Sequence, residues 1–418
     1  MDNVTHSLAG LLLAESAVRL RARGAGGEPS PRVRRTAAIS SAIAANLPDA
    51  DLFYTGLGGD RLGYMLHHRG YTHTVVGAIA GAVVVWGVTV LAWRWRARAA
   101  PARDDARWLF ALLLVATLSH LALDWTNSYG VHLFWPLDDR WQYGDAVFIV
   151  EPWFWAVSVP TLVAASGNRV ARVLLSLVLL AGLALAWRVD LVTAGAAGAL
   201  TAGAGLCVAL ARVLRPGARA ASAVAAWVAV TLVMAAGSAA ARRTTQHAVR
   251  DADPAAELLD VVVTTLPANP VCATVIAVER SGATYRVATA RTSSMPALTD
   301  ASRCPARGGA GPAFADSPRR STRALRWDAP WTAPRAELAA LARESCAALA
   351  ALRFIRVPIW RAATDSAVML GDVRYGGGSG SGFTDVVVPR RSAHCPPAVP
   401  PWTPPRVDLL GASADGRR

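Results

Sequence analysis

The chain has 418 residues, of which 53% are hydrophobic and only 17% are charged. An average soluble domain is about 25% charged, so the composition argues against an ordinary soluble protein and predicts that much of the chain lies in lipid. The formal charge of +14 would suit binding to nucleic acid. However, the arginines occur in short runs between apolar segments, as they do in the cytoplasmic loops of membrane proteins. We therefore expect the lipid bilayer to be the main partner, and we expect no direct contact with nucleic acid.

Apolar segments long enough to approach a membrane span recur along the first 245 residues. A span needs about 20 apolar residues, and the first two segments fall short of that length. The pattern predicts an α-helical multi-pass membrane protein with about eight hydrophobic helices, forming a domain at residues 1–245. The segments lie at residues 5–20, 36–50, 74–93, 107–123, 152–166, 170–187, 190–211 and 221–241.

The arginines predict how these helices are oriented. One set of alternate loops, beginning with residues 21–35, carries 16 arginines with its flanks, whereas the opposite set carries four. Cytoplasmic loops are enriched in arginine and lysine, so the first set is predicted to be cytoplasmic. Arg242 and Arg243, which follow the last segment, do not fit this assignment.

From about residue 250 the composition changes to β-rich runs, at 259–266 and 284–288, separated by proline and glycine. We predict a mainly β or α+β extramembrane domain at 250–395, able to bind a protein partner, and a disordered tail at 396–418. An even number of spans places this domain outside the cytoplasm. Four of the five cysteines lie in it, which predicts two disulfides with three pairings open.

Four polar motifs near the first four segments carry the residues suited to chemistry. They lie at residues 1–6, 46–51, 67–74 and 119–124, and six of the eight histidines fall between positions 6 and 132. The predicted topology places all four motifs at the same, non-cytoplasmic ends of the helices. Ionisable groups at a membrane are costly and persist mainly where they function. The motifs are therefore predicted to form one site.

A metal site explains this set of residues well. His120 and Asp124 lie four residues apart and share one face of a helix, and mixed nitrogen and oxygen ligands suit zinc or a similar divalent ion. Taken alone, the pair could equally be a hydrogen-bonded pair. His6 could be a polar residue at a helix start, and the carboxylates after Pro48 could be turn residues. The candidate ligands are His6, Asp51, His67, His68, His73, His120 and Asp124; of the adjacent His67 and His68, at most one is expected to ligate.

The segment between the fourth and fifth apolar stretches holds further candidates. Its tryptophans fit an aromatic belt at the membrane interface, but its polar residues do not. Asn127, His132 and Asp145 are predicted to position substrate or to bind a second metal. An unligated carboxylate, Asp49 or Glu151, could serve as the catalytic base.

The four motifs resemble those of a family of inner-membrane metal-dependent hydrolases, some of whose members are labelled LexA-binding. They read Met-Asp-x-x-Thr-His-x-x-x-Gly, Asn-Leu-Pro-Asp-x-Asp, His-His-Arg-Gly-x-Thr-His and Ser-His-x-x-x-Asp. The resemblance covers about residues 1–160 and is looser at 266–270 and 372–375. The family is thought to be related to zinc-dependent phospholipase C, an all-helical fold. The resemblance implies zinc ligation by His120 and Asp124, followed by His73, Asp51 and His6.

One departure from the family pattern is that no His-x-x-x-Glu follows His132, so Asp145 or Glu151 would have to substitute. The predicted function is a metal-dependent hydrolase at the non-cytoplasmic face of a bacterial inner membrane, activating a metal-bound water toward a phosphoester or lipid-linked substrate. The alternatives are a non-catalytic metal-binding or transport protein and an interaction scaffold. A transport path would need ionisable groups at mid-membrane depth, and the last four segments have almost none.

Overall fold

The computed structural model describes residues 1–24, 27–55, 61–306, 319–377, 380 and 382–410. In its first part the described chain is helical, with short 3-10 turns at Leu47–Asp51 and Tyr71–His73. The α-helices are α1 (Asn3–Gly24), α2 (Pro31–Ala44), α3 (Leu52–Thr55), α4 (Arg61–His67), α5 (Val75–Ala97), α6 (Arg103–Trp125), α7 (Pro152–Ala165), α8 (Arg169–Ala186), α9 (Ala194–Val213) and α10 (Pro216–Ala252).

Several of these helices begin where a side chain can accept from the first free backbone N–H groups. Ser30 accepts from the N–H of Val33 at the start of α2, where Pro31 occupies the first helical position. Thr74 caps α5 and Asn168 caps α8 in the same way. The helix starts are therefore encoded locally.

Five of the described helices, α5, α6, α8, α9 and α10, are long and apolar enough to cross a membrane. Their outward side chains include Val84 on α5 and Leu177 on α8, both more than half exposed, as expected of faces that contact lipid. The chain is thus a multi-pass membrane protein, but the predicted count of about eight spans is not confirmed. Helices α2 and α7 have 14 residues each, or about 21 Å, against a hydrocarbon thickness of about 30 Å. Helix α1 carries Arg19, Arg21 and Arg23 in its last turns.

Helices α1 and α2 approach each other closely at Gly10. A Cβ atom at this position would lie 2.5 Å from the backbone oxygen of Ser41, so a larger residue would push the helices apart. The close packing holds the buried face of α1, with Thr5 and His6, against the bundle. The glycine of the first motif therefore helps to place the polar start of α1.

The part after α10 is rich in β-sheet, as predicted. An antiparallel sheet has the order β1-β2-β3-β4 and a second one the order β5-β6-β7. Cys272 is paired with Cys304, and Cys346 with Cys395, which selects one of the three open pairings. The strands are β1 (Glu257–Leu266), β2 (Asn269–Ser281), β3 (Thr284–Ser293), β4 (Leu325–Pro334), β5 (Pro358–Ala362), β6 (Ala367–Asp372) and β7 (Val386–Pro389), with helices α11 (Arg335–Glu344), α12 (Cys346–Leu352) and α13 (Val407–Leu410).

The sheet-rich part and the helical part share a hydrophobic core. Met65 on α4 and Trp141 in the loop before α7 lie in one cluster with Phe354 and Trp402. Helix α10 also continues past the other helices and packs against β1 and β2. Part of the predicted tail joins this core, because residues 396–410 contribute Trp402 and two buried leucines of α13. Residues 411–418 of that tail lie outside the described residues.

Candidate metal centre

Three segments at helix ends bring their polar side chains to one buried place. The 3-10 turn after α2 supplies Asp49, and the 3-10 turn before α5 supplies His73. His120 and Asp124 come from one face near the end of α6. The last three side chains are fully buried and Asp49 is 9% exposed. These four residues form the metal centre, a name we use for this cluster below.

The donor atoms of the metal centre lie at the distances expected of ligands to one ion. The Nε2 atoms of His73 and His120 are 3.1 Å apart. Asp124 Oδ2 lies 3.2 Å from the first and 3.4 Å from the second, and Asp49 Oδ1 lies 3.4 and 3.6 Å from them. Ligands about 2.0–2.1 Å from a tetrahedral ion are about 3.3–3.4 Å from one another. The five distances are therefore close to five of the six edges of such a tetrahedron.

The other ring nitrogens fix the tautomers of both histidines. His120 Nδ1 lies 2.7 Å from the backbone oxygen of Ala45, which can only accept, so this nitrogen carries the proton. His73 Nδ1 lies 3.2 Å from Asp51 Oδ2 and is expected to donate to it. In the neutral imidazoles both Nε2 atoms then present lone pairs toward each other. A histidine that donates from its outer nitrogen is the usual form of a metal ligand.

Asp124 supplies a second sign that a cation belongs here. Its Oδ2 atom is buried and has no hydrogen-bond partner, although the carboxylate lies inside the protein. A buried carboxylate oxygen that lacks a donor is costly. Two imidazole lone pairs and two carboxylate oxygens together form a donor set that suits a divalent ion such as zinc. The residues therefore fit a metal.

A neighbouring group of Asp49, Asp51 and His68 has its own mutually close donor atoms. His68 Nδ1 lies 3.0 Å from Asp51 Oδ1. Asp51 Oδ2 accepts from the backbone N–H of Arg69 at 2.8 Å and from the hydroxyl of Thr72 at 3.1 Å. Asp51 thus orients the residues around the metal centre, and Asp49 is common to both groups.

His6 lies beside the metal centre but outside the two groups. Its ring stacks on that of His120 with 3.7 Å between the ring centroids, and its Nε2 lies 3.3 Å from Asp124 Oδ1. Both of its ring nitrogens are buried and without a hydrogen-bond partner. The amino group of Met1 also contacts Asp124 Oδ1. The first motif therefore borders the cluster.

Arg69 is a component of the site that the sequence did not single out. Its backbone has a φ of 60°, in the left-handed region that non-glycine residues rarely adopt. Bonds to Asp51 and to His132, whose Nδ1 lies 3.2 Å from the Arg69 backbone oxygen, hold this conformation. The guanidinium lies 3.0 Å from Asp124 Oδ1. The signal in the sequence was its position between the paired histidines and Gly70, on the arginine-poor side.

Of three further predicted site residues, two contact Arg69 and one lies away from the metal centre. Asn127 Oδ1 accepts from Arg69 Nη1 at 2.9 Å. The ring of His132 stacks on that of Trp402 and is tilted against that of Trp141. Burial lowers its pKa to about 3, so it is neutral. His67 is only partly buried and contacts the ring of Tyr54 instead of the cluster.

The two acidic residues proposed as substitutes for the missing family motif contact the sheet-rich part. Asp145 accepts two bonds from Arg356, at 2.9 and 3.1 Å. Glu151 caps α7 through Trp153 N–H and accepts from the Ala268 N–H in the turn between β1 and β2, at 3.2 Å. Burial raises the pKa of Glu151 to about 8, so this carboxyl is protonated at neutral pH. Neither residue belongs to the possible metal groups found among the described residues.

Asp49 and Asp51 are, by contrast, ionised. Burial alone would raise the pKa of Asp49, but the neighbouring side chains of His73, His120 and His68 lower it to about 2. Asp51 is affected in the same way, because its bonds to His68 and His73 outweigh burial and hold its pKa below its usual range. Ionised carboxylates are the form that binds a metal ion.

Residues 1–194 match the model of a family described as YdjM inner membrane protein. No curated protein and no solved structure matches the chain. The matched segment contains the whole metal centre, Arg69 and the loop that ends at Glu151. The similarity and the five apolar helices both support a location in the membrane.

Beyond the matched segment, the sheet-rich part touches the same loops. Arg374 donates to the backbone oxygen of Ser128 at 2.6 Å and is itself held by Asp372. Trp402 donates to the backbone oxygen of Leu66 at 2.9 Å. These contacts lie next to Asn127 and His68, so the sheet-rich part helps to fix the surroundings of the metal centre.

Proposed function

We propose that the protein is a metal-dependent hydrolase that acts on a phosphoester, including lipid-linked ones, at the membrane face. The observation that carries the proposal is that the Nε2 atoms of His73 and His120 face each other, 3.1 Å apart. The Nδ1 atoms of the two rings donate to Asp51 and to the Ala45 backbone oxygen instead. Together with the carboxylates of Asp49 and Asp124 they surround a buried place that suits a cation. Zinc is the proposed ion, because the donors are arranged tetrahedrally.

The surrounding residues have separate proposed roles. A divalent ion would lower the pKa of water and polarise the bond under attack. His73, His120 and Asp124 are the proposed ligands, which would leave the fourth position of a zinc ion open for water. Asp49 is the proposed proton acceptor, since it is ionised and its Oδ1 lies 3.4 and 3.6 Å from the two Nε2 atoms. Glu151, in contrast, is protonated and holds backbone N–H groups of α7 and the β1–β2 turn. Asp51 orients His73.

The position of the cluster disfavours the transport alternative. His120 and Asp124 lie near the end of α6, and helices α5, α8 and α9 contain no carboxylate or imidazole. A conduction path would need such groups across the span. A metal-binding protein without catalysis is the alternative that the experiment below separates from a hydrolase.

Metal content and hydrolysis test the proposal together. The full-length protein, purified in detergent, is expected to contain zinc and to cleave bis(p-nitrophenyl) phosphate, a model phosphodiester, until zinc is removed by a chelator. His120→Ala should lose both properties, and His247→Ala, which changes an exposed histidine of α10, should keep both. Zinc retained by His120→Ala would contradict the proposed ligands. Zinc without hydrolysis of mono- or diesters would favour the non-catalytic alternative.

We further propose that the metal centre and the sheet-rich part lie outside the cytoplasm. The arginine distribution supports this side, and paired cysteines are typical of oxidising compartments. Arg242, which did not fit the arginine count, donates to Asp145 at 2.8 Å, so its charge is neutralised there. Thiol alkylation of the denatured protein without reductant should label Cys207 alone. Four further labelled cysteines would support the cytoplasmic side.

A further inference from the structure

Hydrogen-bond donors without partners surround the guanidinium of Arg69, next to the metal centre. The side chain is 2% exposed. Its two terminal nitrogens bond to Asn127 and Asp124, at 2.9 and 3.0 Å, but its Nε has no partner. A buried guanidinium N–H can only donate, so this group lacks an acceptor.

Asn127 and Tyr129, which neighbour Arg69, also carry buried donors without a partner. Asn127 Oδ1 accepts from Arg69 and from the backbone N–H of Tyr129, which fixes the amide orientation and leaves Nδ2 as a donor. That Nδ2 and the hydroxyl of Tyr129 are buried and have no partner. The Arg69 guanidinium lies over the Tyr129 ring, 4.7 Å from its centroid. Three connected side chains thus each present an unused donor.

Unpaired buried donors are rare in native proteins, and each calls for an explanation. A guanidinium, an amide NH2 and a hydroxyl together match a ligand that offers several acceptor oxygens and negative charge. We propose that Arg69, Asn127 and Tyr129 form a subsite for the phosphoryl oxygens of the substrate. This inference rests on the proposed function and specifies how the phosphoester is held.

The location agrees with such a subsite. Asn127 and Tyr129 line a cavity of about 50 Å³ between their loop and β1, which has room for more than one water molecule. Asp124 joins the subsite to the metal centre, because its Oδ1 faces Arg69 while its Oδ2 faces the two Nε2 atoms. A phosphoryl group bound to Arg69 would therefore be separated from the ion only by the carboxylate of Asp124.

A purely structural role for Arg69, the orientation of Asp124, gives a different expectation. In that case a change at Arg69 would reduce metal binding, and a change at the hydroxyl of Tyr129 would have no effect. A subsite predicts the reverse, in which metal is retained and phosphate binding falls. Inorganic phosphate is the probe, since it carries the shared chemistry of lipid headgroups and soluble phosphoesters.

The experiment measures zinc content and phosphate binding by calorimetry on the full-length protein in detergent, with and without zinc. Arg69→Gln is expected to weaken phosphate binding at least tenfold and Tyr129→Phe at least threefold, with zinc content unchanged in both. Tyr285→Phe is the matched control, because it removes an equally buried and unpartnered hydroxyl from β3. Competition by a soluble short-chain phosphatidic acid, compared with glycerol 3-phosphate, tells whether a lipid headgroup or a free phosphoester is preferred.

Each result decides the inference. Loss of phosphate binding in the two variants, with zinc retained, supports the subsite, and so does Arg69-dependent phosphate binding to a protein that holds no zinc. The second case would contradict the proposed hydrolase while leaving the subsite intact. Phosphate binding that is unchanged in Arg69→Gln, or a loss of zinc in that variant, would overturn the subsite in favour of a structural role.

Discussion

Two regions of the molecule bury carboxylates, and their neighbours neutralise these charges in different ways. Between the helical and sheet-rich parts, Arg356 bonds to Asp145 at 2.9 Å and to Asp260 at 2.9 Å, and Arg242 bonds to the same Asp145. We call these four residues the interdomain ion cluster. At the metal centre, the acceptors instead face one another, and Asp124 Oδ2 has no donor.

The difference separates buried charge that holds the fold together from buried charge that awaits a ligand. The guanidinium of Arg356 offers planar paired donors that match two carboxylates, so the interdomain ion cluster is complete within the chain. The metal centre has imidazoles whose protons point outward, and its completion requires an ion. Burial alone did not distinguish the two regions, whereas the count of donors and acceptors does.

Removal of the Arg356 guanidinium from the interdomain ion cluster is expected to have the largest effect on the free energy of unfolding. Arg356→Met leaves Asp145 and Asp260 without their main partner, and breaking a buried pair costs about 3–5 kcal/mol of unfolding free energy. Thermal unfolding in detergent should show this loss, with zinc content retained by the folded fraction. Arg140→Ala, which breaks an exposed pair with Asp138, is the control and should unfold as the wild type does. Equal unfolding of Arg356→Met and wild type would contradict the comparison.

Removal of the ion from the metal centre is expected to have an effect that reaches a similar size only when the free ion is far above its Kd. A ligand that binds only the folded state at 1,000 times its Kd stabilises that state by about 4 kcal/mol. A chelator should therefore lower the unfolding temperature of the wild type. His120→Ala should start at the lower temperature and not respond to the chelator. A response of equal size in both proteins would mean that the chelated ion binds elsewhere.

Glu151 extends the comparison to a buried carboxyl neutralised by a proton. Its pKa is raised from 4.5 to about 8, so the stabilising effect of the neutral form is complete below pH 4.5 and is lost as the pH rises to 8. Glu151→Gln keeps an acceptor for the Ala268 N–H and does not titrate. Compared with this variant, the wild type should lose about 3 kcal/mol of unfolding free energy between a pH below 4.5 and pH 7. Unfolding temperatures of both proteins at pH 5, 7 and 9 measure the difference. A constant difference would show that the carboxyl does not titrate in this range.

The convergence of the motifs was predictable because it depends on features that are local in sequence. Helix starts such as Ser30 and Thr74 are set by capping, and the arginine runs predict that alternate helix ends lie on one side of the membrane. The His120–Asp124 spacing then gives a shared face. The span count was less predictable, because a short apolar helix such as α7 has the composition of a span without the length.

The partners of individual site residues could not be read from the sequence. Asp145 and Arg356 are 211 residues apart, and Glu151 and Ala268 are 117 residues apart. Whether a loop carboxylate pairs with an arginine, a backbone amide or a metal ion is decided by such distant contacts. Arg69 was counted only as a loop arginine, because its backbone conformation and its bond to Asp124 arise from the packed site.

The contact between Trp402 and the Leu66 backbone oxygen has a consequence for how the protein is made. The two residues are 336 positions apart, so at about 5–20 residues per second roughly 20–70 s of synthesis separate them. During that time the helices can insert, but the loops around His68 and His132 lack the indole that packs against them. Full ordering of the site is therefore a late event in biogenesis, and a ribosome that stops before residue 402 would leave an inserted bundle with an unfinished site.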